Sequence, residues 1–184
     1  MRKTIHLIRH GQSTFNAAVA ETGVDPLHPD ARLSPLGHEQ VAAAKSAYAK
    51  IGHELIVSTP LTRAIQTALG LFGDSGTPII VEALHREKAS DSCDVGRSPT
   101  LLAQDFPTLR FEHLEDPWWH AADPDHRGIP VEPPHAFEER LERFKVWLQA
   151  RPERVITAVG HGTFFRVLTG GRSFANCELV TWVL

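Results

Sequence analysis

The sequence predicts an α/β fold, a three-layer α/β/α sandwich with a mostly parallel central sheet. Short apolar runs rich in β-branched residues alternate along the chain with segments that carry helix start signals and helical periodicity. Strands that are separated by helices favour parallel pairing with helices on both faces of the sheet. The 184 residues, of which 42% are hydrophobic, suit one domain with a substantial core.

The predicted strands are short, and each is mainly apolar. In chain order they cover residues 4–8, 55–58, 78–81, 155–159 and 178–184. Each of the first four is followed by a helix signal or by an irregular segment, as expected of strands joined by crossover connections.

The predicted helices begin at recognisable caps. Ser13 can cap a short helix, and Ser34 followed by Pro35 marks the start of a longer one that runs through residue 50. Apolar residues recur at helical spacing across 136–150, which predicts an amphipathic helix that packs on the core. The remaining helices are predicted at 61–71, at 100–105 and after Gly160-His161-Gly162-Thr163, ending at residue 168.

A long irregular region, residues 82–135, interrupts the alternation. It is rich in acids, prolines and histidines, and it contains the pair Trp118 and Trp119. Long loops in compact domains usually serve a function or are disordered, so we expect this insertion to cover a site. The two tryptophans fit packing under the loop or contact with a ligand, and the sequence does not choose between them.

Charge and cysteine content exclude several classes of function. The formal net charge of −3 provides no general attraction to nucleic acid or to an anionic membrane. Cys93 and Cys177 lack metal-type spacing and are expected to be reduced thiols. The first predicted strand leaves no room for a signal peptide, and no apolar run approaches the ~18 residues of a membrane helix. We expect a cytoplasmic protein with no membrane or nucleic-acid partner.

The stretch that follows the first predicted strand, Arg9-His10-Gly11, carries the first chemical signal. A cation and an imidazole at the end of a core strand cost free energy unless a partner stabilises them. Gly11 permits close approach of a ligand, and unpaired amides of the turn and of the helix after Ser13 would favour a phosphate. The simpler interpretation is a strand end with a surface Arg-His pair.

Each of the first four predicted strands is followed by a residue whose side chain can bind an anion or take part in catalysis. His10, Arg63, Glu87 and His161 follow the first, second, third and fourth predicted strands, respectively. Ligands of such sheets bind beyond the carboxyl ends of the strands, where these residues converge. Arginines and histidines with one carboxylate describe an anion site, and phosphate matches guanidinium geometry best.

Other kinds of site fit less well. Arg9 and Arg63 would repel a cation from a zinc site built on the histidines and Glu87. A Walker-type loop and a Gly-x-Ser-x-Gly elbow are both lacking from the sequence. The string Gly160-His161-Gly162 begins like a dinucleotide fingerprint, but Phe165 stands where its last glycine should be.

These motifs resemble those of the histidine phosphatase superfamily, the phosphoglycerate mutase-like family. The similarity spans nearly the whole chain, in the expected order. It rests on Arg9-His10-Gly11-Gln12-Ser13 with Asn16, Leu33-Ser34-Pro35-Leu36-Gly37 with Gln40, Ser58-Thr59-Pro60-Leu61-Thr62-Arg63-Ala64 with Gln66-Thr67-Ala68, and Gly160-His161-Gly162. The resemblance implies a phosphoglycerate mutase-like sandwich with a single histidine phosphatase domain over residues 1–184.

The resemblance also implies a role for each site residue. His10 would attack phosphorus and form a phosphohistidine, while Arg9, Asn16, Arg63 and His161 would bind the phosphoryl oxygens. Neither a metal nor a cofactor would be needed, because the guanidinium groups neutralise the charge.

The proton donor has three candidates in the sequence. Leu84-His85-Arg86-Glu87 supplies the glutamate that the family carries after its third strand, so Glu87 is the expected acid. The later Gly-x-Trp-Glu-Gly string of the family is absent, and Asp94-Val95-Gly96-Arg97 stands instead. Asp91 and Asp94 therefore remain alternative acids.

The expected function is that of a phosphomonoesterase acting on a small phosphorylated metabolite. Phosphoglycerate-mutase-type transfer is the alternative; the resemblance implies a C-terminal tail over the site in such mutases, and we expect hydrolysis because this sequence ends in a predicted strand at Leu184. A non-catalytic phospho-ligand binding module is the alternative of another class. The loop formed by residues 112–132 is acidic, which weakly disfavours a highly phosphorylated sugar as the substrate. The sequence does not identify the substrate.

Overall fold

The computed structural model describes residues 2–184. Its centre is a five-stranded sheet with the order β3-β2-β4-β1-β5. The strands are β1 (Thr4–Arg9), β2 (Leu55–Ser58), β3 (Ile79–Val81), β4 (Val155–Gly160) and β5 (Leu179–Val183). The pairs β1–β4, β2–β4 and β2–β3 are parallel, and β5 alone runs antiparallel, along β1. The predicted, mostly parallel sheet is confirmed.

Six α-helices occur across residues 2–184. They are α1 (Thr14–Thr22), α2 (Pro35–Tyr48), α3 (Thr62–Phe72), α4 (Pro99–Asp105), α5 (Pro134–Ala150) and α6 (Gly162–Leu168). Helices α5 and α6 pack on one face of the sheet, and α2 and α3 pack on the other. The chain therefore forms the three layers that its sequence predicts.

Alternation along the strands divides the core between the two faces. Within β1, Ile5 and Leu7 pack with the helices α5 and α6, while Ile8 packs with α2 and α3. Successive side chains of a strand point to opposite faces, so strands covered on both sides must be apolar throughout. All three of these side chains are fully buried.

Four helix starts differ from the prediction: α4 begins at Pro99 rather than at residue 100, α6 begins at Gly162 rather than after Thr163, and α3 and α5 differ as follows. Helix α3 begins at Thr62 rather than at residue 61, because Leu61 keeps an extended backbone and the buried carboxylate of Asp30 accepts the Thr62 N–H. Helix α5 begins at Pro134 rather than at residue 136, because proline suits the first turn of a helix, where its missing N–H costs nothing.

The segment between β3 and α5 contains two 3₁₀ turns, Ala83–His85 and Ser92–Asp94, and the helix α4. Its buried residues Leu102, Phe111 and Trp118 pack in one cluster with residues of β3 and the start of α3. Trp118 is 4% exposed and donates its indole N–H to the Arg97 carbonyl at 2.8 Å, and Trp119 packs edge-on against it. Trp118 is therefore a packing residue of this segment.

The registers of the strands bring their carboxyl ends together. Arg9 at the end of β1 pairs with Gly160 at the end of β4, and Ser58 of β2 pairs with Val159 of β4. The residues that follow these strands therefore emerge side by side. None of the helices that the structure describes is long and apolar enough to cross a membrane.

Candidate active site

His10 lies directly beyond β1 and is 4% exposed. Its Nδ1 lies 2.7 Å from the Gly11 carbonyl, which can only accept a hydrogen bond, so Nδ1 carries the ring proton. Arg63 donates its Nε–H to His10 Nε2 at 3.2 Å. Nε2 therefore holds a lone pair. The two hydrogen bonds, one on each ring nitrogen, fix the orientation of the imidazole.

The surroundings keep His10 neutral. Burial lowers the pKa of His10 well below its usual value, and the charges of Arg63 and Arg9 lower it further. A neutral imidazole whose Nε2 carries no proton can act as a nucleophile near neutral pH. Asn176 donates to the His10 carbonyl at 2.8 Å, which holds the backbone of the residue as well.

Arg63, in the first turn of α3, is almost completely buried. One terminal nitrogen donates to the Cys93 carbonyl at 2.6 Å, and the other donates to Asp94 Oδ1 at 3.0 Å. Burial alone would lower its pKa, but nearby carboxylates, among them Asp94 and Glu87, raise the pKa of Arg63 above its usual value. Its charge is therefore permanent beside His10.

His161 follows β4 as His10 follows β1, and the centroids of the two rings are 5.2 Å apart. Its Nε2 shares a 2.8 Å hydrogen bond with the Thr59 hydroxyl, while its buried Nδ1 has no partner within residues 2–184. Burial lowers the pKa of His161 well below its usual value, and Arg63 and His10 lower it further. A buried nitrogen without a partner is costly unless a ligand satisfies it.

Arg9 completes the cationic side of the site. Its Nη1 donates to the Phe174 carbonyl at 2.8 Å, and its buried Nε has no partner among the described residues. Beside it is a cavity of about 340 Å³. The cavity is lined by Arg9, Glu87, Gly162, Thr163, Arg166, Ser173 and Phe174.

Glu87 reaches this cavity from the segment after β3. Its two carboxylate oxygens accept the backbone N–H groups of Thr163 and Phe164, each at 3.0 Å. Glu87 therefore bridges the third strand end to the start of α6, next to His161. The expected acid and one of the expected cations, Arg9, line the same cavity.

The turn after β1 does not offer the unpaired amides that its sequence suggests, so this part of the prediction is wrong. The Gly11 N–H donates to Thr67, the Gln12 N–H to Gln40, and the Ser13 N–H to the side chain of Asn16. These bonds hold the turn rather than a ligand. Asn16 closes a capping box with Ser13, which uses its amide oxygen as an acceptor and does not involve its Nδ2.

Comparison with known proteins identifies the family. A model described as the histidine phosphatase superfamily (branch 1) matches residues 5–175. The chain belongs to the histidine phosphatase superfamily. It is 30% identical to a glucosyl-3-phosphoglycerate phosphatase of Mycolicibacterium vanbaalenii over 89% of this chain and 71% of that protein. It is 29% identical to phosphoglycerate mutase-like protein 1 of Arabidopsis thaliana over 99% of this chain and 81% of that protein.

A solved structure shares the fold. The mycobacterial glucosyl-3-phosphoglycerate phosphatase, solved with VO3, superimposes with a TM-score of 0.65 at 22% identity, covering 97% of this chain and 90% of that one. The phosphoglycerate mutase-like sandwich expected from the motifs is confirmed.

Within this histidine phosphatase fold, the two alternative acids differ from Glu87. Asp94 is buried and bound to Arg63, and it also accepts the backbone N–H groups of Ser90 and Asp91. Burial raises the pKa of Asp94 to about 6, against the lowering effect of Arg63. Asp91 is 45% exposed and lies 3.8 Å from Arg127. Asp94 thus serves to orient Arg63, and Asp91 faces the surface.

Several residues that hold the site were not singled out from the sequence. Thr67 accepts the Gly11 N–H and donates to the Arg63 carbonyl. These two hydrogen bonds join the turn after β1 to α3. Thr59, which bonds His161, lies in the third family motif, which begins at Ser58, and could have been found there. Asn176 gave no sequence signal, because its contact with His10 joins residues 166 positions apart.

Proposed function

We propose that this protein is a metal-independent histidine phosphatase that hydrolyses a small phosphorylated metabolite through a phosphohistidine at His10. The proposal treats residues 1–184 as one histidine phosphatase domain in which 82–135 covers the site. Its main support is the double constraint on His10, whose Nδ1 binds the Gly11 carbonyl and whose Nε2 faces a permanently charged arginine. Phosphatase-named relatives support hydrolysis of a phosphoester.

In the first step, His10 Nε2 attacks phosphorus in line with the ester oxygen. The P–O bond to the leaving group breaks as the N–P bond forms. Arg63 Nε then exchanges its bond to the imidazole for one to a phosphoryl oxygen. The unpartnered groups, Arg9 Nε and His161 Nδ1, bind the remaining oxygens and stabilise the transition-state charge.

His161 donates from Nδ1 if the Thr59 hydroxyl donates to its Nε2, since the ring is neutral. In this tautomer Nε2 accepts the hydrogen bond from the hydroxyl and needs no other partner. The Nδ2 group of Asn16 supplies a further donor to the phosphoryl group.

Glu87 acts first as an acid and then as a base. Protonated Glu87 donates to the leaving alkoxide, and its carboxylate then takes a proton from the water that attacks the phosphohistidine. Its place beside Arg9 in the cavity wall supports this role.

The charges needed for phosphoryl transfer come from the arginines, so the proposal requires no metal or other cofactor. Within residues 2–184, no group of three or more histidine, cysteine or acidic side chains is arranged to hold a metal ion. Substrates of the relatives suggest a phosphorylated hydroxy acid or a derivative of one, since the named phosphatase acts on glucosyl-3-phosphoglycerate.

Two other functions would use the same fold. A mutase would return the phosphoryl group to a second hydroxyl of the substrate rather than to water, which demands a site closed to water. A non-catalytic phospho-ligand binding module would bind the anion without turnover. The cavity of about 340 Å³ beside Glu87 and Thr163 has room for water, which favours hydrolysis.

The decisive experiment measures phosphate release from a panel of phosphomonoesters, with EDTA present throughout. We expect turnover in EDTA, an acid-labile phosphoryl group trapped by rapid quench, and inhibition by vanadate. His10→Ala should abolish both turnover and trapping because the nucleophile is gone, whereas His38→Ala, an exposed histidine of α2, should change neither.

Each alternative has its own outcome in that experiment. Restoration of activity by zinc or magnesium after EDTA would overturn the metal-independent mechanism. Return of phosphate to a second hydroxyl would indicate a mutase. Vanadate binding without release of phosphate from any ester would indicate a binding module.

A further inference from the structure

Arg140, on α5, is buried and lies outside the phosphate site. It is 4% exposed and forms a two-point ion pair with Glu132, which is 2% exposed. Arg140 Nε lies 2.9 Å from Glu132 Oε1, and Nη2 lies 2.6 Å from Oε2. Two charges this deeply buried are retained at a cost in desolvation, so the pair calls for a reason beyond stability.

The remaining donors of Arg140 supply that reason. Nη1 donates to the carbonyls of Leu84 and Arg86 at 2.9 and 2.8 Å, and Nη2 donates to the carbonyl of Glu87 at 3.3 Å. All the N–H groups of the guanidinium are therefore used, two on Glu132 and three on the backbone that carries Glu87. Only an arginine has this number of donors in a fixed plane.

Glu132 holds the same segment from its other end. Its backbone N–H donates to the Ala89 carbonyl at 2.8 Å, two residues beyond Glu87. The backbone on either side of Glu87 is thus tied to one buried ion pair. Burial raises the pKa of Glu132, but Arg140 outweighs it and holds the pKa below its usual value, so the carboxylate stays charged.

The segment needs this support because the sheet gives it little. Strand β3 has three residues and lies at the edge of the sheet. After the Glu82 N–H, which donates to the Ser58 carbonyl, the chain leaves the ladder. Beyond this point the backbone is held by hydrogen bonds from Arg140 and no longer by strand pairing.

We propose that Arg140 and Glu132 are a positioning pair that fixes the Glu87 carboxyl for proton transfer to the leaving group. The proposal rests on the phosphatase function proposed above. It assigns the pair no contact with substrate. Its effect reaches the reaction through the backbone of residues 84–89.

The first test measures phosphoenzyme formation in Arg140→Lys and Glu132→Gln with an alkyl phosphate and with p-nitrophenyl phosphate. Lysine keeps the charge but cannot make the five hydrogen bonds, and glutamine keeps the shape of Glu132 without its charge. The alkyl ester needs a proton on its leaving group, so its rate should fall about tenfold more than that of the nitrophenyl ester. Leu148→Ala, a buried position on the same helix, should slow both esters equally.

The second test needs no turnover. The Glu87 carboxylate accepts the amide N–H groups of Thr163 and Phe164, so a displaced Glu87 should expose them. Hydrogen exchange at these two amides should speed up about tenfold, relative to other α6 amides, in Arg140→Lys and Glu132→Gln but not in Leu148→Ala. If Arg140→Lys does not fold, Glu132→Gln provides both measurements.

The two tests separate the two proposals. Equal losses on both esters, with exchange at Thr163 and Phe164 unchanged, would reduce the pair to a structural ion pair and overturn the positioning role. If the wild-type protein hydrolysed neither ester, the phosphatase function would fall. The exchange measurement would then still decide whether the pair holds Glu87.

Discussion

The two halves of the site are held in different ways. The half that carries His10 and His161 follows β1 and β4, neighbouring strands inside the sheet, and β1 is paired on both of its sides. The half that carries Glu87 and Asp94 follows β3, a three-residue strand at the sheet edge. We call these the central half and the edge half.

Backbone pairing fixes the central half, and buried ion pairs fix the edge half. The ring of His10 is oriented by the carbonyl of the next residue, Gly11. In the edge half, by contrast, Asp94 binds an arginine 31 positions away, and Arg97 binds Asp30, 67 positions away. Loss of one partner leaves the other charge buried. Neutral substitutions of charged residues should therefore lower the free energy of unfolding more in the edge half than in the central half.

The largest effect is expected at Glu87. Glu87→Gln should slow phosphoenzyme formation from an alkyl phosphate by ~10²- to 10⁴-fold, because a basic alkoxide needs the proton. A p-nitrophenyl ester should still form phosphoenzyme quickly and then stall, giving a burst in rapid-quench measurements. Glu82→Gln, at the other acid that follows β3, is the control. Equal losses on both esters would clear Glu87 of the acid role.

Asp94 tests the ion pairs of the edge half. Asp94→Asn should lower the free energy of unfolding by about 3–5 kcal/mol, since it leaves the Arg63 charge buried without its carboxylate. Urea unfolding would measure this loss. Asp74→Asn, which breaks the exposed pair with Lys45, should leave the unfolding midpoint unchanged. An Asp94→Asn protein as stable as the wild type would show that the Asp94–Arg63 ion pair does not stabilise the edge half.

His161 tests the central half. His161→Ala should lower the rate of phosphoenzyme formation by ~10²-fold, as the loss of one preorganised donor to the transition state does elsewhere. The loss should be the same for alkyl and p-nitrophenyl esters, because this donor contacts the phosphoryl group and not the leaving group. A loss confined to the alkyl ester would assign His161 to proton donation instead.

The smallest effect concerns His85, where the edge half packs on the core. Burial lowers the pKa of His85 from 6.5 to about 3, and Arg140 contributes to the lowering. The unfolded state therefore binds more protons below pH 6.5, so stability falls as the pH drops from 6.5 towards 3. At pH 5.5 the lowered pKa of His85 should reduce the free energy of unfolding by about 1.4 kcal/mol.

His85→Leu should remove that part of the acid sensitivity. The difference between the free energies of unfolding at pH 7 and pH 5.5 should shrink by about 1.3 kcal/mol in the variant, while the exposed His38→Leu leaves it unchanged. Urea unfolding at the two pH values measures both. His10 and His161 have lowered pKa values too, so some acid sensitivity should persist. An unchanged difference in His85→Leu would show that His85 is protonated in the folded protein.

The sequence alone determined the sheet and the central half. Apolar runs of strand length place Ile5, Leu7 and Ile8 in the core, and this pattern depends only on which neighbours along the chain are apolar. Because parallel strands end at one edge, the strand ends also predicted that His10 and His161 would meet. Their rings are in fact neighbours.

Only the tertiary structure decided how the edge half is held and where the amides of the β1 turn go. Asp94 is an alternative acid in the sequence, and its contact with the buried Arg63 appears only in the folded chain. Nothing local marks Arg140 as the partner of the backbone around Glu87. The energy of a buried charge depends on the groups that surround it in space, and those groups come from distant parts of the chain.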